Sequence, residues 1–106
     1  MAKFMVKASL TTEGMKGLLK EGGSGRKATV EKMIKGLGGS MEAFYFAFGD
    51  ADVFVICDLP DTASAAATSL VVNASGAVNM SVIPLLTVQE MDQAVKKPVN
   101  YRPPGA

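Results

Sequence analysis

Between residues 3 and 9 the chain alternates. Phe4, Val6 and Ala8 share one parity, while Lys3, Met5 and Lys7 share the other. This predicts a β-strand with two unlike faces. Thr11 or Thr12 then offers a helix cap, Glu13 suits the first turn of a helix, and Met15, Leu18 and Leu19 supply its apolar stripe. Gly22-Gly-Ser-Gly25 predicts a flexible loop, after which Val30, Met33, Ile34 and Leu37 resume helical spacing until Gly38-Gly39. Two strands follow, near 41–48 and 53–59, joined by a Gly/Asp turn. Asp61 caps an alanine-rich helix from Thr62 to about Ala74, and Gly76 ends it. A last strand is predicted near 78–86. Thr87 and Glu90 form a Thr-x-x-Glu capping box for a short helix to Lys97, stopped by Pro98.

The order β-α-β-β-α-β followed by a helix predicts an α+β, ferredoxin-like domain: a four-stranded antiparallel sheet with helices on one face. One domain over residues 1–97 and an extended tail over 98–106 fit the length of 106 residues. The stretch from Phe44 to Cys57 is apolar on both parities, so both faces of the sheet need cover. The expected cover for the second face is another copy of the chain. If the larger residues of the third strand (Phe54, Ile56 and Asp58) face that side, Lys7 and Asp58 become neighbours there. Phe44, Phe46 and Phe48, or Tyr45, would then add aromatic walls.

Charge is unevenly spread. Residues 1–39 carry eight Lys/Arg against three acids, residues 40–92 seven acids and no Lys/Arg, and residues 93–106 three basic groups and no acid. The net charge of +1 opposes a general nucleic-acid role. Interleaving of the segments in the fold, or attraction between subunits, can neutralise the blocks. Lys3 and Lys7 interrupt the N-terminal apolar positions, so neither a signal peptide nor a membrane span is expected there. A cytoplasmic location is the expectation.

Candidate chemistry is sparse. The chain has no histidine and one cysteine, Cys57, which leaves no Ser-His-Asp or Cys-His set and no typical zinc site. Cys57 reads as a buried, inert thiol. Asp50 and Asp52 read as turn formers rather than a cation site. Arg26, after the glycine run, is a candidate to hold an anion at the following helix N-terminus. Lys7, Tyr45 and Asp58 are the candidate ligand-binding residues on the open sheet face. No metal or cofactor is expected.

Six segments carry a family resemblance: Thr12-Glu-Gly14, Leu37-Gly-Gly39, Phe44-Tyr45, Phe48-Gly-Asp-Ala-Asp-Val53, Asp58-Leu-Pro-Asp61 and Ser75-Gly-Ala-Val78. Their order and spacing over residues 4–90 resemble the GYD-domain family of small bacterial proteins. Ala51 stands where that family's turn has its tyrosine. The resemblance implies a ferredoxin-like chain pairing into a dimeric α+β barrel and supplies no reaction. The expected function is a homo-oligomeric small-molecule-binding or accessory protein. The alternatives are an oxygenase- or isomerase-like enzyme, cofactor-independent and using Lys7, Tyr45 and Asp58 in a barrel cavity, or a purely structural assembly subunit.

Overall fold

The N-terminal alternation becomes strand β1 (Ala2–Leu10) in the computed structural model, which describes residues 1–106. Helix α1 (Thr12–Gly36), strands β2 (Ser40–Phe46) and β3 (Val53–Leu59), helix α2 (Thr62–Ala74), strand β4 (Val78–Pro84) and helix α3 (Val88–Val95) follow. The four strands form one antiparallel sheet in the order β2-β3-β1-β4. This is the ferredoxin-like α+β arrangement expected from the element order, with α3 appended.

Register decides which side chains share a face, because side chains alternate along a strand. Val6 stands opposite Val55 on β3 and Val82 on β4. Phe4, Ala8, Val53, Val55, Cys57 and Leu59 are buried on this helix-covered face, with Ile34 of α1 and Ala65 of α2 against them. Helix α1 lies mainly along β2, and α2 along β4. The helices therefore cover the two edges of the sheet more fully than its centre.

The glycine run behaves differently from the expected loop. Only Gly22 leaves helical geometry, at φ 73° and ψ 173°, and Gly23, Ser24 and Gly25 are helical. A positive φ is cheap only for glycine, so one residue is enough to break the helix and let it restart.

The start of α1 is tied to the turn before β4. The Thr11 side chain accepts a hydrogen bond from the Gly14 N–H at 3.3 Å. Its hydroxyl also lies 2.9 Å from the Gly76 carbonyl and 3.1 Å from that of Ala77, and the Thr11 N–H donates to Ala77 at 3.0 Å. Gly14 permits this approach: a Cβ there would sit 2.2 Å from the Ala77 oxygen.

The C-terminal segment lies apart from this body. The capping box of α3 forms as expected, with Glu90 N–H to Thr87 Oγ1 and Thr87 N–H to Glu90 Oε1 both at 3.0 Å. Yet Val88, Met91, Val95, Val99 and Tyr101 are all exposed. The radius of gyration is 16.7 Å, where a compact chain of this length has about 13 Å. No helix is long and apolar enough to cross a membrane.

Thr11→Ala removes a helix cap and a tether to the β4 turn together. It is expected to lower unfolding stability by about 1–2 kcal/mol in urea titration, whereas Thr11→Ser, which keeps the hydroxyl, stays close to the parent.

Candidate functional site

Two surfaces of the sheet carry chemistry, and they differ in kind. The open face presents Met5, Phe54, Ile56, Tyr45 and Ile83, with charged groups towards both ends. At one end Lys3 Nζ lies 2.6 Å from Glu42 Oε2 and 3.3 Å from Asp58 Oδ1. At the other, Lys7 Nζ lies 3.5 Å from Asp50 Oδ2.

The expected pairing of Lys7 with Asp58 does not form. In the antiparallel register Lys7 stands opposite Phe54 and Ser81, while Lys3 stands opposite Asp58. The four-residue offset from Lys3 to Lys7 keeps the same face but moves the ammonium group along the strand to the other end of the sheet. Tyr45 is on the open face opposite Phe54 and is 70% exposed. Phe44 and Phe46 are not walls of that face. A register shift between Met41 and Ala43 accompanies their placement on the helix side, where their rings meet edge to face at 5.2 Å. Phe48 projects fully from the β2–β3 turn.

That turn is structural. The Asp52 carboxylate accepts the Leu10 N–H at 2.8 Å, and the Asp52 N–H donates to Ala8 at 2.8 Å. Ala51 is 1% exposed, so the turn packs inward at this position and projects no side chain into solvent.

The helix-covered face holds the main cavity. Between α1, α2 and the middle of the sheet lies a groove of about 410 Å³, and seventeen of its twenty-one lining residues are hydrophobic. Val6, Val55 and Val82 form its floor, Val30 and Met33 belong to the α1 wall, and Val71 and Val72 to the α2 wall. Val71 is 72% exposed, so the groove is open to solvent along that wall.

Arg26 is the only formally charged residue lining it. Its Nε lies 3.0 Å from Glu21 Oε1, yet this buried nitrogen has no hydrogen-bond acceptor. The carboxylate sits beside the N–H rather than ahead of it, so the pair is electrostatic and the N–H makes no hydrogen bond to it. The structure thus separates the sequence candidates: Lys7, Tyr45 and Asp58 lie on the open face, and Arg26 lies in the groove on the opposite side. The groove itself was not anticipated. Its signal was available in the spacing of Arg26, Val30, Met33 and Leu37, which puts the arginine on the apolar stripe of α1.

Among titrating groups, burial is the leading cause that pushes the Cys57 thiol up, and the Asp58 charge adds to it. The hydrogen bond to Glu42 is the leading cause that holds Lys3 above the ordinary lysine value. Backbone donation from Ser64 to the Asp61 cap holds that carboxyl low.

A four-stranded antiparallel sheet carrying two helices on one face, with a helix appended after the last strand, defines a ferredoxin-like α+β protein. The chain belongs to the GYD-domain family, whose model, described as GYD domain, matches residues 4–95. That span takes in strands β2 to β4, all three helices and β1 from Phe4 onward. No curated protein and no solved structure matches the chain.

Because Cys57 and Lys3 both titrate higher in the folded chain, the native state holds these protons more tightly. Their contribution to stability is complete below the ordinary values of 9.0 and 10.5 and is lost as pH rises through the folded values. Stability is therefore expected to fall above about pH 9, and Cys57→Ala should flatten the first part of that fall in denaturant titrations across the alkaline range. The native thiol should also resist an aromatic disulfide reagent at pH 8 and react fully in denaturant. Rapid native labelling would contradict its burial.

Proposed function

We propose that this protein is a homo-oligomeric, cytoplasmic small-molecule-binding protein whose ligand occupies the groove between α1 and α2. The observation that carries the reading is the groove itself. Its volume of about 410 Å³ lies in the range of small-molecule sites, and its lining is overwhelmingly apolar with one charged group. Partial exposure of the apolar floor is unfavourable, and an apolar ligand relieves it.

Self-association through the open sheet face completes the proposal. The chain exposes 7343 Å², about 1,700 Å² more than a compact monomer of its mass, an excess to which residues 86–106, exposed throughout, contribute along with the open face. A standard interface removes about 800 Å² from each partner. The open face offers an apolar centre of Met5, Phe54, Ile56 and Tyr45 with charge pairs towards its ends, the anatomy of a protein interface. The lone thiol Cys57 suits a reducing compartment.

A neutral apolar dye such as Nile red should bind the wild-type protein saturably. Val72→Trp, which fills the groove, should weaken binding tenfold or more with unchanged circular dichroism. Absence of saturable binding to the wild type would remove the ligand-binding reading. Sedimentation should show a dimer or larger species at micromolar concentration, with Ile56→Lys shifting it to monomer. A monomeric wild type would remove the self-association.

A further inference from the structure

We infer that the groove takes a single-headed anionic amphiphile, a monocarboxylic acid of medium chain length, with its carboxylate held by Arg26. This rests on the reading of the groove as a ligand site and names the class of ligand.

The polar inventory of the groove supports the assignment. Besides Arg26, the lining side chains with hydroxyl groups are Thr29, Thr68 and Ser75. Each already donates its hydrogen to a backbone carbonyl of its own helix: Thr29 to Gly25 at 3.0 Å, Thr68 to Ser64 at 2.9 Å and Ser75 to Val72 at 2.7 Å. None has a second hydrogen to give. Arg26 has donors only, forms no hydrogen bond, and keeps its Nε buried without an acceptor. A ligand's polar end therefore meets its strongest partner at Arg26, and that end must be an acceptor.

Charge points the same way. A cationic head would face the guanidinium across a low-dielectric groove, and a neutral donor would find no free acceptor there of comparable strength. A carboxylate matches the planar guanidinium and gains a charge-assisted hydrogen bond. Glu21, 3.0 Å from Arg26 Nε, is the internal rival for that charge. It keeps the empty site near neutrality, and it competes with any anion that enters.

Size sets the apolar part. At about 410 Å³ the groove lies toward the lower end of the range of small-molecule sites, which suits a ligand of medium length rather than a long lipid. A monocarboxylic acid such as decanoate is of that size. The hydrophobic part of the lining, including Val30, Met33, Val55, Val72 and Met80, asks for hydrocarbon.

The test compares decanoate with 1-decanol by calorimetry at neutral pH, below the micellar range, on the full-length protein. Decanoate should bind tenfold or more tightly than decanol. Arg26→Gln should remove that advantage and leave decanol binding unchanged. Glu21→Gln, which frees the arginine from its rival, should tighten decanoate alone. Equal binding of both probes, insensitive to either substitution, would overturn the carboxylate assignment while keeping the groove as an apolar site. Binding of neither probe would overturn the assignment together with the ligand-binding reading beneath it.

Discussion

The two-sided pairing of β1 is the constraint on which the rest of this structure depends. β1 is bonded to β3 along one edge and to β4 along the other, so a single register fixes three strands at once. With Val6 between Val55 and Val82, valines meet across all three strands and form one apolar floor. The next residue, Lys7, is then committed to the opposite face, between Phe54 and Ser81. A slip of one position would exchange the faces, bringing Lys3 and Lys7 under the helices. Burying unpaired ammonium groups there costs far more than any other register could return.

The groove follows from how the helices meet that floor. Each helix rests chiefly on an edge strand, α1 on β2 and α2 on β4, and the centre of the sheet lies between them. Side chains at that centre are short: Ala8, Val55 and Cys57 are buried there without bulk to close the gap. A larger residue at any of them would raise the floor. The apolar surface left over is worth about 0.8 kcal/mol for each methylene that an occupant buries. The other side of the sheet solves the same problem differently. It combines large apolar groups with charge pairs near its ends, so it can meet water or a flat partner without a hole.

Much of this was legible in the sequence. Strands with period two, helices with apolar residues three and four apart, and capping residues such as Asp61 and Thr87 act locally, so the element order could be read from neighbours along the chain. What could not be read was anything that depends on pairing. The choice of Lys3 over Lys7 as the partner of Asp58 is a matter of register, and register is settled between strands fifty residues apart. The placement of Phe44 and Phe46 under the helices goes with the irregularity at Met41–Ala43, which no local pattern announces. The groove was hidden for a related reason. Periodicity says that Arg26 and Val30 share a side of α1, but not that the opposing helix stands far enough away to leave a space.

The one-residue break at Gly22 has a further effect, on rotational phase. In an uninterrupted helix residues five apart point about 140° away from each other around the axis, given about 100° per residue. Glu21 and Arg26 are five apart, and their charged ends nevertheless lie 3.0 Å apart. A single non-helical residue has turned the second half of α1 relative to the first. The two halves thus follow independent azimuths: one directs Leu18 toward Phe46, the other directs Val30 and Met33 at the groove. A helix of this length with one continuous stripe could serve only one of those directions, so the glycine works as a coupling that lets one segment of chain address two parts of the sheet.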